Sequence, residues 1–405
     1  MIRRPPRSTQ GVSSAASDVY KRQDHCWGRV INNFDVIIIG GGIVGLSMAV
    51  EISNKMSLSI AVIDPNNCNP TVSESFHTRV SAITPTTKDF LKSINVWNEL
   101  ERKNAFVATQ VWDQNSHGHL NFHASDEDLK NLGYIIENDV IQSALFRAIE
   151  TSNATMIQAS LVELNANKIG YKVVLDNGQT LSCKLLIGAD GPQSKVRSLA
   201  NIDFKEHNYN QKAIIANVLT EKPLKQTTWQ RFLSDSILAF LPLSDNQASI
   251  VWSCKNSLAN ALEKLDDIEF NKRITDASEY RFGSLELQSA RKYFPLVSRS
   301  ANQYVLESLA LIGDAAHNIH PLAGQGVNLG FSDVMELSQQ LQDSKPNALG
   351  DFLVLRKYAR ARRLDNEVMA KTMTGLDWIY KENMEPIRWL RGYGMNLIDQ
   401  TPTLK

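Results

Sequence analysis

The run Phe34-Asp-Val-Ile-Ile-Ile39, followed at once by Gly40-Gly41-Gly42-Ile43-Val44-Gly45, constrains this chain more than any other stretch. An apolar run of strand length predicts a strand buried on both faces. The glycines then fall as G-x-G-x-x-G, and apolar periodicity beyond them predicts a helix to about Asn54. Ser59–Ile63 reads as a second buried strand, with Asp64 at its end, about 20 residues beyond the last glycine. Each part has a mechanical reason. Gly40 makes the tight turn, Gly42 lets a pyrophosphate reach the backbone, Gly45 lets helix and strand pack closely, and Asp64 can accept both ribose hydroxyls. A carboxylate there repels a 2′-phosphate. The site therefore suits an adenosine with free ribose hydroxyls, as in NAD or FAD, and spacing alone does not separate those two.

Two later stretches repeat the pattern of a strand ending in Gly and Asp. Leu181–Ile187 runs into Gly188-Ala189-Asp190-Gly191, which a doubly wound fold delivers to the ligand crevice at the carboxyl ends of its strands. Leu309–Ile312 runs into Gly313-Asp314, then a loop containing Pro321, Gly324, Gln325 and Gly326, then a helix from about Val327 to Gln342. A helix start offers unpaired N–H groups and the positive end of the peptide dipole to electron-rich ligand atoms.

Between these stretches the pattern changes. Leu161–Leu164 and Tyr171–Leu175 read as a hairpin. Ala213–Val218, Thr228–Leu233, Ile237–Leu243 and Ala248–Cys254 are short β-rich runs at near-regular spacing, which predicts a separate antiparallel sheet. The expected organisation is a Rossmann-like α/β cofactor domain over 31–200, a mainly antiparallel substrate domain over 201–300, a return to the first domain over 301–345 and a helical C-terminal region over 346–405. Residues 1–30 stand apart: Met1–Gln23 is rich in Arg, Ser and Pro without apolar periodicity. They read as a disordered extension, or as an artefact resembling a translated sequencing-adaptor string.

Composition excludes several classes. Acidic and basic residues balance at 43 each, which argues against broad nucleic-acid binding. The four cysteines are scattered without metal-ligand spacing, so no zinc site or disulfide framework is expected, and a reducing compartment fits. No run of about 18 apolar residues predicts a membrane span. His317 and His320 read as loop histidines held by backbone hydrogen bonds, and His117, His119 and His123 as a polar hairpin turn.

The glycine motifs in this order resemble the FAD-dependent aromatic hydroxylases of the p-hydroxybenzoate hydroxylase fold. They resemble more closely the ubiquinone-biosynthesis hydroxylases of the UbiH/UbiF/VisC group. Arg79-Val-Ser-Ala-Ile, Leu132-Gly-Tyr-Ile-Ile-Glu-Asn138, Ala239-Phe-Leu-Pro-Leu243 and Pro321-Leu-Ala-Gly-Gln-Gly-Val-Asn-Leu-Gly330 carry the resemblance with them. It implies FAD as cofactor, held by Gly40, Gly42, Gly45, Asp64, Arg79, Asn138, Asp190, Gly313, Asp314, Gly326, Val327 and Asn328. It places Pro321, Gly324, Gln325 and Gly326 beside the flavin ring. It further implies NADH or NADPH as co-substrate, O2, and a flavin C4a-hydroperoxide attacking the ring of a hydrophobic polyprenyl phenol or quinol. No catalytic metal is needed. A cytoplasmic protein with peripheral contact at the inner membrane, and membership of a ubiquinone-biosynthesis complex, complete the implied picture. Two alternatives stay open: another aromatic or prenyl substrate on the same scaffold, and a non-catalytic FAD-binding role in such a complex.

Overall fold

The computed structural model describes residues 33–114, 118–318, 326–345 and 348–381, together with Tyr393, Met395 and Asp399. The expected N-terminal extension, His117, His320 and the loop residues Pro321, Gly324 and Gln325 lie outside the described residues.

Asn33–Ile39 is the centre of the first sheet, as its unbroken apolar run demands. Val36, Ile37 and Ile38 are fully buried, so both faces of the strand are covered. It pairs in parallel with Ile60–Asp64 on one side and Thr180–Gly188 on the other. Ala154–Gln158 and Leu309–Leu311 extend the parallel sheet outward on the two sides. The chain thus moves first to one side of the central strand and later to the other. That reversal opens a crevice at the carboxyl ends of the strands. The hairpin Leu161–Ala166 and Tyr171–Leu175 pairs antiparallel onto the start of Thr180–Gly188.

The helix Ile43–Lys55 crosses from the central strand to its neighbour, and two glycines set how closely it packs. A Cβ on Gly45 would lie 1.9 Å from the Gly40 carbonyl oxygen, so helix and turn touch backbone to backbone. A Cβ on Gly330 would lie 2.5 Å from Val44 Cγ2, which brings the helix Gly326–Gln342 down onto the first helix. Buried side chains of Leu46, Ile52, Phe331, Val334 and Leu337 belong to the same core cluster. Each such side chain stabilises the fold by about 1.5–3 kcal/mol.

The second sheet is nine-stranded and mainly antiparallel. Its longest member, Phe204–Thr220, pairs with Gln247–Lys255 and with Lys292–Ala301. The apolar pattern anticipates only Ala213–Val218 of that strand. Residues 204–208 are polar or exposed, and it is pairing with Lys292–Ala301, across a bulge after Asn208, that keeps them extended. Two further strands, Ala108–Asp113 and His119–His123, fall inside the stretch 31–200 yet join this sheet. Ala108–Asp113 pairs in parallel with Thr227–Phe232, a long-range register that local periodicity cannot reveal. His119 and His123 therefore stand at the ends of a strand rather than in a turn.

A small third sheet, Val80–Ile83, Gly133–Glu137 and Asn104–Phe106, links the two larger ones. Asn104 Nδ2 donates to the Pro242 carbonyl at 2.7 Å and Asn217 Nδ2 to the Phe76 carbonyl at 2.7 Å. Residues 309–318 also belong to both sides: Leu309–Leu311 joins the first sheet and His317–Asn318 pairs with Lys292–Ala301 in the second. The turn between them, containing Gly313 and Asp314, is fixed at the junction. The long helix Phe352–Lys381 follows, matching the helical C-terminal expectation.

Candidate functional site

The first wall of the crevice is the glycine turn. Gly40 has φ +110°, and a Cβ there would lie 2.3 Å from the Ala189 carbonyl oxygen, so this turn abuts the Asp190 motif. Gly42 begins the helix with no side-chain cap, and a Cβ on it would meet nothing within 4 Å. The helix thus starts beside open space with its first amides free of a side-chain cap, a setting in which the helix dipole favours an anion. Asp64 Oδ2 accepts the Gly41 N–H at 2.8 Å and its Oδ1 accepts the Asn66 N–H at 2.8 Å. Two amides fix the carboxylate's direction, while each oxygen retains a second lone pair for a hydroxyl donor. Beside it, burial and the charge of Asp64 push the Cys68 thiol up to about 12, so Cys68 is a packing group and not a nucleophile.

The second wall is the Asp190 turn. Asp190 Oδ2 accepts the N–H groups of Lys195 and Val196 at 2.7 and 3.0 Å, while its Oδ1 is buried with no partner among the described residues. A buried carboxylate oxygen left unpaired is costly, and a hydroxyl-bearing ligand in the crevice would satisfy it. Arg197 braces this wall against the next: its Nη1 donates to the Ala315 carbonyl and its Nη2 to that of Pro192, both at 2.8 Å.

The third wall is Gly313-Asp314. Gly313 has φ +59° and Asp314 follows it with an exposed side chain. The surrounding protein nevertheless desolvates that carboxyl enough to push it above its ordinary range, against the charges of His317 and Arg79. A carboxylate open to solvent yet ringed by protein lines a cleft. Arg79 is exposed, its charge favours the ionised Asp314 carboxyl, and its carbonyl accepts the Asn138 N–H at 3.0 Å. Asn138 Oδ1 in turn accepts the Ser81 hydroxyl at 2.7 Å.

Gly326 starts its helix in open space, and Val327 is half-buried beside it. Asn328 is turned inward. Its Oδ1 accepts from the Thr87 hydroxyl at 2.8 Å and its Nδ2 donates to the Ala82 carbonyl at 2.7 Å, so this side chain ties the helix to the third sheet. Only its backbone is left for a ligand.

Behind the third wall lies a buried ionic cluster that sequence reasoning missed. Asp333 is fully buried. Its Oδ2 accepts the Gly313 N–H at 2.8 Å and meets His317 Nε2 at 2.6 Å, and its Oδ1 accepts from Arg362 Nε at 2.7 Å. Thus His317 is held by a carboxylate, not by the backbone. Arg362 lies on the buried side of a helix whose basic residues Arg356, Arg360 and Arg363 are the conspicuous ones in the sequence. Nothing in local periodicity marks an aspartate inside an amphipathic helix as paired, and the signal available was only its presence on the apolar face.

Burial pushes the Asp333 carboxyl up, but His317 and Arg362 outweigh it and leave it below its usual range. The stabilisation this provides is present above the unfolded aspartate value, about 3.9. It is lost as pH falls through the lower folded value. The melting temperature is expected to decline on that acid limb, and Asp333→Asn to flatten it; an unchanged limb in the variant would contradict the assignment.

The three walls fit a dinucleotide: open amides at Gly42 suit a pyrophosphate, and Asp64, Asp190 and Asp314 present acceptors to a chain of sugar hydroxyls. No cluster of His, Cys, Asp and Glu suited to a metal occurs among the described residues, and no described helix is long and apolar enough to cross a membrane. The FAD binding domain family matches residues 33–365. The chain is 34% identical to the 3-demethoxyubiquinol 3-hydroxylase of Escherichia coli (strain K12), over 92% of this chain and 96% of that protein. It is 32% identical to the mitochondrial ubiquinone biosynthesis monooxygenase COQ6 of Homo sapiens, over 92% of this chain and 91% of that protein. Among solved structures, Pseudomonas aeruginosa PqsL in complex with 2-aminobenzoylacetate superposes with a TM-score of 0.75 at 19% identity, covering 90% of this chain and all of that one. The p-nitrophenol 4-monooxygenase PnpA of Pseudomonas putida DLL-E4 gives 0.74 at 15% identity, covering 92% of this chain and 96% of that one. These two show the shared fold, and the relatives of higher identity show the family: this chain belongs to the FAD-dependent monooxygenases that include the ubiquinone-biosynthesis hydroxylases.

Proposed function

We propose that this protein hydroxylates the aromatic ring of a polyprenyl phenol or quinol intermediate of ubiquinone biosynthesis, using NADH or NADPH and O2. The observation that carries the reading is the convergence of the Gly40–Gly45 turn, Asp190 and Gly313-Asp314 on one crevice, in a chain so similar over its length to hydroxylases of that pathway. Bound here, FAD would supply the redox chemistry that links nicotinamide oxidation and O2 activation to transfer of one oxygen atom to an electron-rich ring carbon.

The chain's own residues bind, orient and exclude water. Amides at Gly42 and Ile43 would hold the pyrophosphate, and Arg79 adds positive charge felt by Asp314. Asp64 accepts from the adenosine ribose, and Asp190 and Asp314 from the ribitol side. The helix start at Gly326 and Val327 would offer amide dipoles to the negative charge a bound flavin gains on reduction. An apolar seam of Phe106, Ile135, Leu241 and Leu243 dries the junction between the second and third sheets. Peripheral contact at the inner membrane and membership of a biosynthetic complex belong to the same proposal. Leu353 and Leu364, exposed on the helix that also carries Arg356 and Arg360, are compatible with that contact.

Asp64→Ala is expected to weaken FAD retention, since two hydrogen bonds to a charged acceptor are lost, each on the order of 1.5–3 kcal/mol. Unchanged flavin occupancy after gel filtration would remove Asp64 from the ribose site. For the activity as a whole, a short-chain prenylphenol is expected to accelerate NAD(P)H oxidation by the FAD-loaded protein, with peroxide accounting for only a minor share. All reducing equivalents appearing as peroxide would count against that substrate class.

A further inference from the structure

We infer that Asp333, with Arg362 as its counter-ion, is the positioning residue that presents the Gly313-Asp314 turn to the cofactor, making the C-terminal helix part of the FAD site. The inference rests on the FAD-binding reading of the crevice. Asp314 is the group that faces the cleft, and its direction depends on Gly313, which sits at φ +59° with its N–H directed at Asp333. One fully buried carboxylate therefore fixes the backbone of a turn whose next side chain is open to the ligand.

A carboxylate so deeply buried needs compensation, and three elements supply it. Gly313 donates from the turn, His317 from the short strand that joins the second sheet, and Arg362 from the long helix. Arg362 is itself held in place by Asp365 at 2.8 Å and Asn366 at 3.3 Å on its own helix. One turn earlier, the Tyr358 hydroxyl donates to the Leu311 carbonyl at 2.8 Å, two residues before Gly313. The helix Phe352–Lys381 thus grips the strand and the turn that follows it at successive points. The side chains of Asp333, His317, Arg362 and Tyr358 are all buried, so their effect on the cofactor passes through the backbone at 313 and 314.

The charge requirement and the position requirement separate experimentally. Arg362→Lys keeps a cation at the site, and Asp333→Glu keeps the anion but moves its oxygens by one methylene against Gly313. The FAD dissociation constant by flavin fluorescence, the visible circular dichroism of bound flavin, and the far-ultraviolet spectrum of each apoprotein are measured on the full chain. Asp333→Glu is expected to raise the dissociation constant at least tenfold and alter the visible dichroism while the far-ultraviolet spectrum stays parental. Arg362→Lys is expected to remain within about threefold of the parent. If Asp333→Glu does not fold, Tyr358→Phe replaces it, with a several-fold loss of FAD affinity expected from loosening the same strand. Parental affinity and dichroism in whichever of these two variants folds would overturn the inference. Failure of the parent itself to bind FAD would instead overturn the reading on which it rests.

Discussion

Gly45→Ala is expected to yield protein that retains little or no FAD and melts well below the parent. The added Cβ would sit 1.9 Å from the Gly40 carbonyl oxygen and 3.1 Å from its carbon. Both are backbone atoms of the glycine turn, so no flexible side chain can yield. Relief requires the helix Ile43–Lys55 to move away from the strand, and three contacts resist it. Gly40 N–H bonds the Ile63 carbonyl at 2.8 Å, the Ala189 carbonyl lies against Gly40, and Gly330 packs on Val44. Overpacking of this kind costs about 1–3 kcal/mol where side chains can adjust, and a backbone collision belongs at or above the upper end. Flavin absorbance per protein after gel filtration and the apoprotein melting curve measure the two effects. Parental values of both would mean that helix and turn are not in contact.

Arg362→Met should be the most destabilising change far from the crevice. It retains most of the side chain's apolar volume but leaves the Asp333 carboxylate buried beside a single imidazole. Removing one partner of a buried pair costs about 3–5 kcal/mol, because the remaining charge is uncompensated. His317 offsets part of this by holding a proton on Nε2 toward Asp333. The result is a melting temperature far below the parent, with Arg362→Lys recovering much of the difference. A methionine variant as stable as the parent would show that the cluster is energetically neutral.

Gly45 and Arg362 mark the boundary of what the sequence makes legible. Gly45 could be assigned a packing role from its place in G-x-G-x-x-G, because the constraint is local: one turn, one helix, one strand. Asp64, Asp190 and Asp314 could be placed at strand ends for the same reason. Arg362 could not. Its meaning depends on Asp333, and both lie inside amphipathic helices where a single polar residue on the inner face leaves no periodic trace. Asn328 shows the converse. Its neighbours in the glycine loop drew it toward the cofactor, whereas its side chain is bonded to residues 82 and 87, far away in sequence. The strand Ala108–Asp113 was hidden likewise, since its partner Thr227–Phe232 lies more than a hundred residues on and pairs in parallel. Apolar runs and turn residues identify strands and their ends; they do not identify the partner.

The proposed function is transfer of one atom of O2 to an aromatic ring in this crevice. Its most direct test is incubation of the FAD-loaded protein with NADH or NADPH, a short-chain prenylphenol and isotopically heavy dioxygen, followed by mass spectrometry of the organic product. The expected product is a phenol carrying one additional oxygen atom, heavy in label, in amounts that follow NAD(P)H consumed. An unmodified phenol with the label recovered only in peroxide and water, or a hydroxylated product whose new oxygen is unlabelled, would contradict it.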